Sequence, residues 1–359
     1  MNIARRRLGS QQIARPAFDD PAAVVRWMGA VQAQDYLGGL WAVGLRTRAA
    51  TEASVEAAIA RRAFVRTWPM RGTLHFVSAA DVRWMSQLLT PRVIALAASR
   101  HRQLELDAKV FSRAGCVVER ALAGGTCVRR DAIYQLWDAA GISTRESRGL
   151  HLLGYLAMTG LICFGPRDGK QQTFALIDEW LPPARAVERD EALGELARRY
   201  FTSHGPATVH DFAWWSGLTV TDARRGTEVA KNDLEQTDAD GHAYWSGPAA
   251  RPSRGAATAA YLLPPWDEYT VAYRDRSAVL DAAHAGKVNA GGGVLSPVVV
   301  VRGHVVGTWR RALGKTAVAV TPSFFGRLAP NEMQAVVAAT RRYGEFLGAP
   351  AELAKSSKC

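Results

Sequence analysis

Residues 116–182 read CVVERALAGGTCVRRDAIYQLWDAAGISTRESRGLHLLGYLAMTGLICFGPRDGKQQTFALIDEWLP and decide the fold class of this chain. VVERALAGG and TCVRRDAIYQLWDAAG predict two helices, the second of which ends at Gly141. Ser143 and Thr144 are candidate caps for a third helix, ESRGLHLLGYLAMTG. LICFGPRDGKQQTFALI then predicts two strands joined by a turn. Three helices followed by a hairpin predict a winged helix-turn-helix unit.

The same order of elements recurs on both sides of this stretch. ALGELARRYFTSHG predicts a helix that ends at Gly205, and ATVHDFAWWSG and TVTDARRGTEVAK predict the next two helices. DLEQTDADGHAYWSG predicts a hairpin that turns at Asp240 and Gly241. Nearer the N-terminus, PAAVVRWMGAV, TEASVEAAIARRA and FVRTWPMRGTLHFV form a third, less regular copy. The repetition predicts tandem winged helix-turn-helix units.

The C-terminal part of the chain has a different pattern of residues. YLLPPWDEYTVAY, SPVVVVRGHVVGTWRR and TAVAVTPSFF are β-rich runs that predict a small barrel or sheet. A last helix is predicted after Pro330, and the final residues AELAKSSKC are expected to fray. We therefore predict a helix-rich α+β protein with a β-rich, barrel-like C-terminal region. The predicted domains are a first segment (1–110), a second (111–183), a third (184–254) and a C-terminal region (255–359).

The chain carries a large excess of basic residues. Its 359 residues include 45 Lys and Arg against 33 Asp and Glu, a net charge of +12 at pH 7. Only seven of the basic residues are Lys, and the planar fork of arginine suits phosphate oxygens and guanine edges. With 48% hydrophobic and 22% charged residues, the chain is expected to bury a substantial core. Polyanions, nucleic acids above all, are the expected partners.

The sequence indicates no membrane segment and no secretory signal. Apolar stretches such as SPVVVV are far shorter than the ~20 residues that a spanning helix needs. The N-terminal residues MNIARRRLGSQQIARP are basic but lack the apolar core of a signal peptide. We therefore expect a cytoplasmic protein.

Neither a metal nor a cofactor is expected. Cys116, Cys127, Cys163 and Cys359 include no C-x-x-C pair, and the eight histidines show no metal-binding spacing. The stretch LGKT is not a phosphate-binding loop, because Trp309 occupies the position of its first glycine, and G-x-G-x-x-G is absent.

The most unusual stretch is AVQAQDYLGGLWAVGLR, in which Gln32, Gln34 and Asp35 lie between two apolar runs. Side chains two residues apart point to the same side only on an extended chain. If the two glutamines act together, the chain is therefore extended or kinked here. The alternative is that they are solvated amides at the C-terminal cap of a helix.

Five stretches together resemble the bacterial winged-helix DNA-binding family that contains the AlkZ-like DNA glycosylases. They are VQAQDYLGGLWAVGLR, RTWPMRGTLHFVSAADVRWM, HGPATVHDFAWWSGL, LLPPWDEYTVAYRDRSAVL and VVGTWRR, and the resemblance extends from Arg5 to about Gly348. It implies that Gln32 and Gln34, separated by Ala33, are catalytic. It also places the chain nearer the two-glutamine branch of the family, which is associated with bulky adducts and crosslinks, in DNA repair or antibiotic self-resistance.

Amides suit this implied chemistry. An N7- or N3-alkylated purine already carries positive charge and leaves readily, so the enzyme needs mainly to orient water and stabilise the cationic sugar. Asp35 either supplies negative charge to that step or caps a turn. No Lys lies near the motif in the sequence, so a monofunctional enzyme without lyase activity is expected.

Base removal also requires residues that contact the DNA. Aromatic or hairpin residues proposed for stacking on the lesion or lying beside it are Trp41, Arg71, His75, Trp266 and Trp309. Arginines proposed for phosphates are Arg145 and Arg148, at the start of the third helix of the second segment, and Arg310 and Arg311, which flank a predicted turn. For each tryptophan the alternative is a place in the core, and for each arginine a solvated surface.

Two functions follow from these expectations. The first is a monomeric, nucleoid-associated glycosylase that removes cationic alkylated purines, bulky adducts or interstrand crosslinks from double-stranded DNA. The second is a non-catalytic winged-helix regulator that only binds DNA. Release of free base from alkylated DNA distinguishes them.

Overall fold

A computed structural model describes residues 1–239, 241–248, 259–314 and 316–354. The predicted turn residue Asp240 and the predicted boundary at residues 254 and 255 lie outside the described residues. The helix-rich α+β class that the sequence predicts is confirmed. In the described ranges, no helix is both long and apolar enough to cross a membrane.

The first segment combines helices with a small antiparallel sheet. Its elements are α1 (Ile3–Ser10), α2 (Pro21–Met28), β1 (Ala30–Gln32), α3 (Tyr36–Leu45), α4 (Glu52–Ala60), β2 (Phe64–Met70), β3 (Thr73–Ser78) and α5 (Val82–Gln103). The strands lie in the order β1-β3-β2. Asp20 caps α2, whose first residue is Pro21, and Thr51 caps α4. Gln32 is the last residue of β1 in this sheet, and Gln34 follows just beyond it.

The second segment contains three helices and a hairpin in the predicted order, with two unpredicted short elements in addition. Its elements are α6 (Ala108–Leu122), β4 (Val128–Arg129), α7 (Arg130–Ala139), α8 (Arg148–Met158), β5 (Ile162–Phe164), β6 (Thr173–Leu176) and α9 (Ile177–Trp180), of which β4 and α9 were not predicted. Helix α8 begins later than expected, and neither Ser143 nor Thr144 caps it. The Thr144 hydroxyl contacts the Asp138 carboxylate instead, and Ser147 occupies the cap position without a capping hydrogen bond.

In the third segment, two threonines begin the helix pair. The elements are α10 (Arg189–His204), α11 (Val209–Ser216), α12 (Val220–Ala230), β7 (Glu235–Ala239) and β8 (His242–Ser246). Thr208 forms a capping box with Asp211 at the start of α11, and Thr219 caps α12.

The C-terminal region is built on a sheet that curls into a half-barrel. Its elements are β9 (Ala260–Leu263), α13 (Glu268–Val271), α14 (Ala285–Val288), β10 (Val298–Val301), β11 (His304–Leu313), β12 (Val318–Phe324), α15 (Pro330–Leu347) and β13 (Ala351–Leu353). The strand order is β13-β12-β11-β10-β9. The expected fraying of the tail is wrong for Ala351–Leu353, because this strand pairs in parallel with β12.

Two further expectations about this region are corrected. Only the start of YLLPPWDEYTVAY is a strand, since α13 follows it. Arg310 and Arg311 do not flank a turn. They lie within β11, opposite Thr321 and Val320 of β12, because the strand continues past them to Leu313.

The sheet β1-β3-β2 lies where three hydrophobic cores meet. Phe76 packs in the first core with the C-terminal sheet and α15, and Val77 in the second core with α10 and α11. Leu74 packs in the third core with α6, α7 and α8. Adjacent residues of a strand point to opposite faces, so Phe76 and Val77 of β3 reach two different cores. The sheet is therefore held from several sides.

Candidate active site

Gln32 is the last residue of an extended strand. Gly29 ends α2 with a φ of +74°, which glycine adopts readily, and the chain then runs directly into β1. Gln32 is thus not a helix cap, and the chain here is extended. The antiparallel pairing of β1 with β3 places Gln32 opposite His75.

The side chain of Gln32 is fixed by the turn between β2 and β3. Arg71 Nη2 donates to Gln32 Oε1 over 2.9 Å and lies 3.0 Å from His75 Nε2. Because His75 Nδ1 faces the carbonyl of Thr73 at 3.0 Å, Nδ1 carries the hydrogen and Nε2 accepts from Arg71. Burial, together with the charge of Arg71, lowers the pKa of His75 to about 3. His75 is therefore neutral at physiological pH.

Gln34 is exposed, yet its amide is also oriented. Its Oε1 accepts from the backbone N–H of Leu74 over 3.1 Å, and the N–H of Ala33 donates to Leu74 O over 2.7 Å. Arginine side chains and backbone N–H groups only donate, so both glutamines must turn their oxygens toward these partners. Their amide nitrogens make no hydrogen bond within the described part of the chain and are not enclosed.

Arg66 holds the backbone of the Gln32–Gln34 segment. Its Nε donates to Ala33 O over 2.9 Å and its Nη2 to Gln34 O over 3.1 Å. Burial lowers the pKa of Arg66 to about 10, against the opposing influence of Tyr36 and Asp35, so the guanidinium is charged at pH 7.

The hairpin of the second segment docks beside this arginine. Arg66 Nη1 lies 3.3 Å from Gln172 Oε1, and the guanidinium lies 4.9 Å from the centre of the Phe164 ring. Arg167, in the loop between β5 and β6, pairs with Glu56 of α4. The first and second segments therefore share a polar junction next to the glutamines.

Asp35 precedes α3 at its N-cap position but makes no capping hydrogen bond. Its carboxylate lies over the first turn, where a Cβ on Gly38 would be 3.1 Å from Oδ2. The position agrees with the predicted cap, whereas the capping bond is not formed. The half-exposed carboxylate is thus open to another partner.

Glu268 is part of the site, although the sequence did not single it out. It lies at the start of α13 with no solvent exposure, and its Oε1 accepts from the backbone N–H of Gln32 over 2.7 Å. Its Oε2 accepts from Trp215 Nε1 over 3.0 Å. Burial raises the pKa of Glu268, but His204, whose Nε2 lies 3.5 Å from Oε2, and Arg71 outweigh burial and hold it at about 2. The sequence feature that could have identified Glu268 was an acidic pair inside the apolar run LLPPWDEYTVAY.

The predicted aromatic residues divide between the core and the surface. Trp41 and Trp309 are buried, and their indole N–H groups donate to the carbonyls of Leu262 and Leu263 over 2.7 and 2.8 Å. Both tryptophans therefore belong to the hydrophobic core, which was the alternative interpretation. Carbonyl groups of β9 accept a hydrogen bond from the only polar atom of each side chain. Trp266 is half-buried, two residues before Glu268.

The four predicted phosphate-binding arginines divide into two kinds. Arg145 and Arg310 are exposed. Arg148 Nε donates to Ser143 O over 3.0 Å, and its Nη1 donates to Leu104 O. Arg311 donates to the hydroxyl of Tyr343. The last two arginines are thus engaged by the protein itself.

As for metals, His, Cys, Asp and Glu side chains form no group of three or more suited to a metal ion among the residues that the structure describes.

Comparison with known proteins gives three consistent matches. The family described as "DNA glycosylase AlkZ-like" matches residues 25–346. An interstrand DNA cross-link repair glycosylase of Streptomyces sahachiroi is 28% identical over 316 residues, which are 83% of this chain and 84% of the relative. The solved structure of the Streptomyces sahachiroi DNA glycosylase AlkZ has a TM-score of 0.80 at 24% identity and covers 98% of both chains. The last match shows a shared fold.

Proposed function

The chain belongs to the AlkZ-like family of DNA glycosylases, and from this premise we propose that it hydrolyses the N-glycosidic bond of cationic alkylated purines in DNA. The proposal extends to bulky adducts and interstrand crosslinks, since the Streptomyces relative is named for crosslink repair. The observation that carries it is the pair of oriented amides, with Gln32 Oε1 held by Arg71 and Gln34 Oε1 held by Leu74 N.

These amides suit the positioning of water. Each Oε1 accepts one hydrogen bond and keeps a second lone pair, which can accept a hydrogen from water and turn the water oxygen toward C1′ of the deoxyribose. Water attacks C1′, the bond from C1′ to the purine nitrogen breaks, and its electron pair neutralises the purine cation. The proton that water loses passes to solvent. Orientation before reaction is the contribution expected of such fixed groups.

A general acid is not part of the proposed mechanism. His75, the imidazole beside Gln32, is neutral and uses both ring nitrogens in hydrogen bonds. A cationic purine leaves as a neutral base and needs no protonation, whereas uracil and 8-oxoguanine would leave as anions. Selectivity is therefore proposed to come from the leaving group. Asp35 is kept as an auxiliary residue that adds negative charge near the sugar, and no lyase step is included.

Binding to duplex DNA is proposed to use the three helix-and-hairpin segments as winged-helix units. The net charge of +12 favours the phosphate backbone. Arg145, in the loop just before α8, and Arg310 on β11 are exposed, as phosphate contacts require, and Trp266 is the aromatic candidate beside the site. The proposed enzyme is a monomer that works in the cytoplasm on nucleoid DNA.

The test is a single-turnover assay on matched duplexes that carry N7-methylguanine, a bulky N7 adduct, uracil or 8-oxoguanine. Free base is measured by mass spectrometry. The proposal predicts release of both cationic purines and neither neutral base. Rapid uracil release would overturn the mechanism, and release of methylguanine alone would remove the extension to bulky adducts. Binding without any release would indicate a regulator instead.

A further inference from the structure

We infer that Glu268 is a positioning residue for this reaction, which acts through Gln32 rather than on DNA. The inference rests on the proposed function. Glu268 has no solvent exposure, so it cannot touch a substrate. It nevertheless contacts the first glutamine directly, with Oε1 2.7 Å from Gln32 N.

The two ends of Gln32 are held by opposite charges. The carboxylate of Glu268 binds its main-chain N–H, and the guanidinium of Arg71 binds its side-chain oxygen over 2.9 Å. A main-chain bond fixes the peptide at the end of β1, while a side-chain bond fixes the amide. Together they leave Gln32 one orientation, which is what a group that positions water requires.

Glu268 also joins this strand to the third segment. Its Oε2 accepts from Trp215 Nε1 on α11 over 3.0 Å, and a Cβ on Gly217, just after α11, would lie 3.3 Å from Arg71 Cγ. The end of α11 therefore lies against both Glu268, through Trp215, and Arg71, through Gly217. A buried carboxylate is costly unless its oxygens are paired, and here Oε1 pairs with Gln32 N while Oε2 pairs with Trp215 Nε1, so the charge is held in place. We assign to Glu268 the role of fixing Gln32.

The experiment compares Glu268→Gln with a matched control, Asp267→Asn. Asp267 is the neighbouring buried carboxylate, but it binds Arg46 over 2.8 and 2.9 Å and makes no contact with Gln32 in the described structure. Single-turnover release of N7-methylguanine is measured at saturating protein, at a temperature where circular dichroism shows each variant to be folded. Duplex affinity is measured in parallel.

Loss of the Glu268 charge is expected to lower the release rate ~10- to 100-fold without a change in duplex affinity, the effect that loss of a partner orienting a ligand residue has in metal sites. Asp267→Asn is expected to lower the melting temperature but not the rate. In the double variant Gln32→Ala, Glu268→Gln, the rate should equal that of Gln32→Ala alone, because Glu268 acts through Gln32. Additive losses would contradict the inference.

If Glu268→Gln does not fold, Trp215→Phe provides the second test. It removes one donor to the carboxylate and should lower the rate about 3- to 10-fold, the effect of one hydrogen bond. An unchanged rate in whichever variant folds, or an equal loss in Asp267→Asn, overturns the inference and leaves the proposed function standing. No release by the unsubstituted protein overturns the proposed function, and the inference with it.

Discussion

The guanidinium of Arg71 lies between Gln32 and His75 and donates to Gln32 Oε1 over 2.9 Å. The turn between β2 and β3 thereby sets the orientation of a side chain on a different strand. Since an arginine cannot accept a hydrogen bond, the Gln32 oxygen must face Arg71. Without Arg71, the amide can turn over and donate to the free Nε2 of His75.

Arg71→Met should therefore impair base release more than DNA binding. We expect the single-turnover rate on N7-methylguanine to fall ~100-fold, the typical cost of losing one preorganised group. Arg61→Met, at an exposed arginine just after α4, is the matched control and should leave the rate unchanged. Equal rates for the two variants would contradict the assigned role of Arg71.

The pH dependence of stability should show the burial of His75. Its pKa is about 3 in the folded protein against 6.5 ordinarily, so between these values the unfolded chain binds a proton that the folded chain does not. The free energy of unfolding should therefore fall as the pH decreases from 6.5, by about 1.4 kcal/mol per pH unit for this group. Denaturant titrations from pH 4.5 to 7.5 measure the slope.

Two comparisons make this prediction specific. His75→Gln should reduce the slope between pH 4.5 and 6.5 by the contribution of one proton, whereas an unchanged slope would mean that His75 is not held neutral. Glu268 has a pKa of about 2 in the folded protein against 4.5 ordinarily. Its contribution to the free energy of unfolding is therefore lost only as the pH falls below 4.5. The release rate of folded protein, corrected for uncatalysed loss, should not vary between pH 5 and 8.

Packing of α3 against the glutamines predicts the effect of Gly39→Ala. A Cβ at Gly39 would lie 2.9 Å from Ala33 Cβ and 2.9 Å from Phe76 Cε2, so it must displace the residue between the two glutamines. We expect a loss of ~1–3 kcal/mol in the free energy of unfolding and a lower release rate. Thermal and denaturant unfolding, with the release assay, provide the measurement.

Gly154→Ala is the control for this substitution. Gly154 lies within α8, and a Cβ there would meet no atom within 4 Å. Alanine should stabilise this helix by roughly 0.5–1 kcal/mol and leave base release unchanged. A Gly39→Ala variant as stable and active as Gly154→Ala would show that α3 does not constrain the glutamines.

The salt dependence of DNA binding should separate exposed from engaged arginines. Replacing Arg145 and Arg310 by Gln should flatten the plot of log K against log salt, by up to about 0.9 for each lost phosphate contact. Replacing Arg148 and Arg311, which donate to protein groups, should mainly lower thermal stability. Fluorescence anisotropy with undamaged duplex measures the slope, and equal slopes for the two pairs would contradict the assignment.

The order of elements was predictable where the hydrophobic period was clear. In the second and third segments, amphipathic helices and turn residues mark nearly every element. Helix α3, YLGGLWAVGL, was only an apolar run in the sequence, because it is buried on most sides and shows no polar face. The buried position of Trp309 depends on how the C-terminal sheet packs, which no local sequence pattern indicates.

The candidate site was predictable only in part. Gln32 and Gln34 stood out as amides between apolar runs, and the hairpin that carries Arg71 and His75 follows from turn chemistry. Glu268 was not predictable, because it reaches Gln32 from 236 residues away. Contacts of that separation depend on how whole segments pack, which periodicity and spacing do not encode.

Single-turnover release of N7-methylguanine by the unsubstituted protein, Gln32→Ala and Gln34→Ala tests directly whether the two amides are catalytic. We expect release by the unsubstituted protein and a loss of ~100-fold or more in each variant. Folding and duplex affinity should remain, and Gln34→Asp should retain more activity than Gln34→Ala because a carboxylate also positions water. Release at the unsubstituted rate by both alanine variants would contradict the catalytic role of Gln32 and Gln34.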